Sequence, residues 1–102
     1  MLELRPVCEH CSKALPPEAL DARICSFECT FCAACVEAHF CAGCPNCGGN
    51  FVPRPIRPAR NWKNQNCLDK YPAAVVQRHR PVDLNAYAAL AAALNSLPPE
   101  QR

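Results

Sequence analysis

Eight cysteines fall in the order Cys8-x2-Cys11-x13-Cys25-x3-Cys29-x2-Cys32-x2-Cys35-x8-Cys44-x2-Cys47, all inside the first half of a 102-residue chain. Four Cys-x2-Cys knuckles result, at 8/11, 29/32, 32/35 and 44/47, and each presents two thiolates at one turn's reach. Tetrahedral Zn²⁺ takes four such soft donors, so the eight cysteines are enough for two sites. The segment that carries them, residues 1–52, is too short to fold on an apolar core alone and needs disulfides, metal or a partner. Disulfides fit poorly. The start Met1-Leu2-Glu3-Leu4-Arg5 has no basic stretch followed by an apolar one, so export to an oxidising compartment is not expected. No apolar run approaches the roughly 18 residues of a membrane span. A soluble, cytoplasmic metalloprotein with 2 Zn²⁺ is the expectation.

Charge divides the chain. Residues 1–50 carry three cations against six carboxylates, whereas residues 51–82 carry seven cations against Asp69 alone. Eight thiolates around two dications would make the first half more acidic still. Three units are expected: a two-zinc module over 1–52, an extended Pro/Arg-rich basic arm over 53–82, and an amphipathic helix over 83–97. In the module, Arg23–Phe27 suggests a short strand, and Thr30 is the expected N-cap of a helix running to Phe40. Alternating proline and arginine from Pro53 to Arg60 forbid a helix there and favour extended backbone. Asp83 caps the last helix, Pro98-Pro99 stops it, and Leu84, Tyr87, Leu90, Ala91 and Leu94 share one face. That face must pack on its own module or on a second copy, as a homodimer.

The order of the pairs predicts a cross-brace. Cys8, Cys11, Cys32 and Cys35 form site 1; Cys25, Cys29, Cys44 and Cys47 form site 2. Neither site can then close without folding the segment that carries the other. A sequential arrangement, with the first four cysteines on one ion and the last four on another, is the competing pairing. It would crowd Cys29, Cys32 and Cys35 differently.

Residues 8–47 resemble RING-type zinc domains, with Phe31 before Cys32, Val36 after Cys35, and Pro45 in the final Cys-Pro-x-Cys. The resemblance implies a small metal-stabilised α+β fold, RING-like or treble-clef, with a short hairpin and a helix. Cys29 stands where those domains usually have histidine. Ubiquitin-ligase-type activity is not expected, because His10 occupies a position usually aliphatic in ligases and Gly48 one that is often basic. The chain as a whole resembles a family of small bacterial proteins catalogued as a domain of unknown function, family 1272. The residues concerned are Met1–Pro6, Asp21–Cys32, Cys44–Gly49 and Arg54–Pro58. That resemblance implies no activity.

Other chemistries fit less of the pattern. An iron–sulfur electron carrier on Cys29, Cys32, Cys35 and Cys44 would strand Cys8, Cys11 and Cys25. Cys25-x3-Cys29-x2-Cys32 also has the spacing of radical S-adenosylmethionine enzymes, but the chain is too short for their barrel. A zinc hydrolase needs an open position and a general base, which two all-thiolate sites do not provide. No catalytic residues are assigned, and the protein is not read as an enzyme. Cys41 and Cys67 are left over as spare thiols, and His10 and His39 as bystanders. The expected role is protein interaction, the alternative nucleic-acid binding through the basic arm 53–80. Candidate contacts for the alternative are Arg54, Arg57, Arg60, Lys63 and Trp62.

Overall fold

The computed structural model describes residues 1–102, and its regular elements are short. Strand β1 (Ala22–Ile24) pairs antiparallel with β2 (Thr30–Cys32), with Ala22 opposite Cys32 and Ile24 opposite Thr30. A third strand, β3 (Val52–Pro53), lines the other edge of β1, giving the order β2-β1-β3. Helix α1 (Ala33–His39) follows β2 directly, and helix α2 (Leu84–Leu94) comes after the long arm. The result is a small α+β fold with one three-stranded antiparallel sheet. No helix is long and apolar enough to cross a membrane.

Six of the eleven residues in the central cluster are cysteines, so ordinary apolar packing supplies less than half of the core. The rest is largely an aromatic file. Phe51 meets Phe31 at 5.5 Å between ring centroids, Phe31 meets Phe40 at 5.0 Å, and Phe40 meets Tyr87 at 5.3 Å. These edge and tilted pairs tie the sheet, the end of α1 and the last helix into one unit.

Two local expectations change. Thr30 does not cap α1; it is a buried strand residue opposite Ile24, and the cap is Cys32, whose sulfur accepts from the Cys35 N–H at 3.4 Å. A sulfur that must face inward at the strand end takes over the role usually filled by a hydroxyl. The last helix ends at Leu94, short of Leu97. Its start matches, since Asp83 Oδ1 accepts from the N–H groups of Asn85 and Ala86 at 3.0 and 3.2 Å.

The arm contains no helix, as its prolines require, but it is extended only in part: residues 58–71 turn back on themselves as a closed loop, and the arm is not free. Arg54 is 4 % exposed, and its guanidinium donates to the carbonyls of Arg5, Leu15 and Pro16 at 2.9, 3.2 and 2.8 Å. Arg57 donates to the carbonyls of Tyr71 and Leu2, both at 2.7 Å. The chain then returns along the N-terminus, with Ala74 N–H on Leu4 O at 3.0 Å and Arg80 N–H on Glu9 O at 2.8 Å. Arg54 and Arg57 are therefore structural clamps, each guanidinium engaged by backbone carbonyls.

The amphipathic face of α2 closes on its own module. Tyr87 OH donates to the buried Gly43 carbonyl at 2.6 Å, and Leu94 lies against Gly48. Gly48 has φ +81°, and a Cβ there would come within 3.2 Å of Leu94, so glycine suits both the turn and the approach. Tyr87 and Leu94 are buried and Leu90 and Ala91 half-buried, while Leu84 at the start of the face stays exposed. Tyr87→Phe should destabilise the metal-loaded protein by about 1–2 kcal/mol, since it leaves a buried carbonyl without its donor. Chemical denaturation measures this, and an unshifted midpoint would show the contact to be idle.

Candidate metal centre

The first knuckle is built before any metal is considered. Val7 bridges Ala14, Cys8 N–H donates to Lys13 O at 2.9 Å, and Ser12 adopts a left-handed φ of 65° to close the turn. That turn presents Cys8 and Cys11 to Cys32, at the end of β2, and Cys35, in the first turn of α1. All four Sγ atoms lie within 4.8 Å of one another. The Cys11 and Cys32 sulfurs are 3.7 Å apart. A Zn–S bond of about 2.3 Å gives a tetrahedron whose S–S edge is about 3.8 Å, so this spacing suits an ion held between them. It is far too long for a disulfide, and all ten cysteines are free.

A second group gathers Cys25, at the end of β1, with Cys44 and Cys47 of the last knuckle, again within 4.8 Å. Cys25 and Cys47 stand 3.5 Å apart at sulfur. The sequence expected Cys29 as a fourth member, and the structure gathers three. Cys29 sits on the opposite limb of the β1–β2 hairpin, where its backbone is fixed by the bond from Cys25 N–H to Cys29 O at 3.2 Å. Strand pairing sets its position, and its thiol still feels Asn46, Cys25 and Cys44. The structure thus joins the first knuckle to the 32/35 pair, and the last knuckle to Cys25. The sequential pairing would have required other neighbours.

Backbone N–H groups point at the sulfurs. Cys32 accepts from Cys35, Cys25 from Phe27, Cys44 from Asn46, and Cys47 from Gly49, each at 3.4 Å. Such donors favour thiolates over thiols. Burial acts the other way, pushing the thiols of Cys8, Cys29, Cys35 and Cys44 up. A dication held among the sulfurs would resolve this conflict, since it would deprotonate its thiol ligands outright.

Glu9, inside the first knuckle, escaped the sequence reading. It is 5 % exposed, and its carboxylate accepts from Thr30 N–H at 2.9 Å, Arg5 at 3.2 Å and the Asn46 side chain at 3.2 Å. One carboxylate thereby holds the first knuckle, β2 and the last knuckle in register, so it braces both cysteine groups. Arg5 also pairs with Glu3, which in turn pairs with Arg78 of the returning arm. Glu9→Ala should cost about 3 kcal/mol, because it leaves a partly buried guanidinium and a buried N–H without an acceptor. Faster metal loss to a chelator, read alongside the denaturation midpoint, checks this.

The remaining candidates stand apart from the sulfur groups. His10 Nδ1 accepts from Val82 N–H at 2.9 Å, so that nitrogen faces the arm. Burial, with the charges of His39 and His79, lowers the pKa of His10 below the usual imidazole value. The exposed thiol of Cys41 donates to Glu37 O at 3.1 Å, at the end of α1, and Cys67 is buried within the 58–71 loop. Arg60, Trp62 and Lys63 are all exposed.

Residues 1–57, which hold both cysteine groups and the two arginine clamps, match the family described as protein of unknown function (DUF1272). The chain belongs to this family. It is also similar to the uncharacterized protein R02474 of Rhizobium meliloti (strain 1021), 52 % identical over 81 residues that make up 79 % of this chain and 89 % of that relative. No solved structure matches. The matched segment is the cysteine-rich half of this chain, and its gathered thiols could hold metal ions.

Proposed function

We propose that the chain is a structural two-zinc module, RING-like in its cross-braced connectivity, that works by binding a protein partner. One Zn²⁺ sits on Cys8, Cys11, Cys32 and Cys35. The second sits on Cys25, Cys44 and Cys47, with Cys29 completing the shell after a small side-chain adjustment. The observation that carries this reading is the four-thiol group at tetrahedral spacing, drawn from two segments that meet only when the chain folds. The hairpin followed directly by α1, with candidate ligands at the strand end and helix start, supports a treble-clef reading. Shells of four thiolates are closed and electron-rich, so the ions organise the chain and do not activate water. The protein is accordingly not an enzyme, and eight thiols that must stay reduced suit the cytoplasm. Large apolar side chains left at the surface, Phe27 at 71 % and Val75 at 90 % exposed, are anchors that a protein partner can cover.

X-ray absorption at the zinc edge of the loaded chain tests the reading. Four sulfur neighbours at about 2.3 Å around every ion, with no nitrogen or oxygen, is the expected shell. A lighter atom in the shell would mean an open or histidine-containing site and would revive hydrolytic chemistry.

A further inference from the structure

The loop from Pro58 to Tyr71 contributes nothing to either cysteine group, yet it is ordered from within. Leu68 N–H closes its base on Pro58 O at 3.0 Å, and Tyr71 N–H bonds Cys67 O at 2.9 Å. At its tip, Gln65 N–H donates to Asn61 Oδ1 at 2.8 Å and Asn66 N–H to Lys63 O at 3.1 Å. Asn64 and Gln65 both take left-handed φ values, 55° and 59°. Compact closed loops of this kind, with their ends together, frequently carry function.

This frame displays exposed side chains, Lys70 among them resting over the Tyr71 ring at 5.5 Å from its centroid. Trp62, the sole tryptophan, is 76 % exposed. Arg60, Lys63 and Lys70 are exposed and lie outside the chain's ion pairs, which engage Arg5, Lys13 and Arg78. Beside them lies an open cavity of ≈ 430 Å³, lined by Asn61, Gln65, Cys67, Asp69 and Lys70. Two carboxamides at its wall offer the paired donor and acceptor that a base edge presents in return. Trp62 has Asn61, Lys63, Asn64, Gln65 and Asn66 as its chain neighbours, all polar. A protein-binding tryptophan is usually ringed by contacts that exclude water, whereas stacking on a base tolerates a polar surround.

We propose that the 58–71 loop binds single-stranded nucleic acid. Trp62 stacks on a base, Arg60, Lys63 and Lys70 neutralise phosphates, and Asn61 and Gln65 meet a base edge in the cavity. This goes beyond the protein-interaction reading and does not depend on it, because the loop lies outside the metal groups.

The zinc-loaded full chain should be titrated with oligo-dT and oligo-rU of about 12 nucleotides, within the range of single-strand site sizes. Trp62 emission reports contact directly because no other tryptophan is present. Saturable quenching is expected, with log K falling against log salt at a slope of about −2 for three phosphate contacts. Trp62→Ala, which lacks the emitting residue and is followed by the anisotropy of a dye-labelled oligonucleotide, should weaken binding about tenfold or more. The triple change Arg60→Gln, Lys63→Gln, Lys70→Gln should flatten the salt slope. All four side chains are exposed, so metal content and melting temperature should hold in both variants. A preference for either strand supports the proposal and identifies DNA or RNA. Absence of binding at about 50 mM salt would overturn it. So would binding that leaves Trp62 emission unmoved, or heparin producing the same quenching, which would give the loop to an acidic protein instead.

Discussion

Stripping both ions from the reduced protein is expected to unfold it. The strands hold two or three residues and α1 holds seven, too few to persist in isolation. With six cysteines among eleven core-cluster residues, the apolar remainder is Phe31, Phe40, Tyr87, Leu15 and Ala22. Structural zinc contributes on the order of 10 kcal/mol per site, coupled to folding, against a total domain stability of roughly 5–15 kcal/mol. Chelation therefore removes more than the fold has in reserve. The far-UV circular dichroism of the helices and the cooperative melt should both disappear, and both should return when zinc is restored under reducing conditions. A melt that survives complete metal removal would mean that the aromatic file and the arm hold the chain by themselves.

The second large effect is expected at Cys32. Its sulfur belongs to the four-thiol group and caps α1 through Cys35 N–H, while its backbone ends β2 opposite Ala22. Cys32→Ser leaves three thiolates and a weaker donor, which forfeits most of one site's roughly 10 kcal/mol. Because Cys25 of the second group lies between the two halves of the first, both ions should be lost together and the module should unfold. Cys41→Ser is the matched control. A serine hydroxyl can still reach the Glu37 carbonyl, and a surface change of this kind should stay within about 0.5 kcal/mol. Metal stoichiometry and denaturation of the two variants separate these outcomes. A folded Cys32→Ser protein that keeps one ion would show the sites to be independent.

Cysteine spacing made the gathering of Cys8, Cys11, Cys32 and Cys35 legible, because a Cys-x2-Cys turn leaves its two sulfurs little choice of direction. Asp83 and the apolar face of α2 were legible for a similar reason, since capping and helical periodicity are local. The position of Cys29 was not, because the pairing of β1 with β2 places it, and that is set across the hairpin. Arg54 and Arg57 looked like a basic arm because their partners, the carbonyls of Leu2, Arg5, Leu15 and Pro16, lie 38 to 55 residues away. Glu9 was missed for the same cause: its three donors come from residues 5, 30 and 46. A carboxylate lodged between two cysteines of one knuckle, in so small a core, was the available sign.

Metal content of the protein purified without oxygen, by elemental analysis together with a visible absorption spectrum, tests the two-zinc module most directly. Two zinc ions per chain in a colourless protein is the expected result. Iron with visible absorption would contradict it and make the cysteine groups an electron-transfer centre.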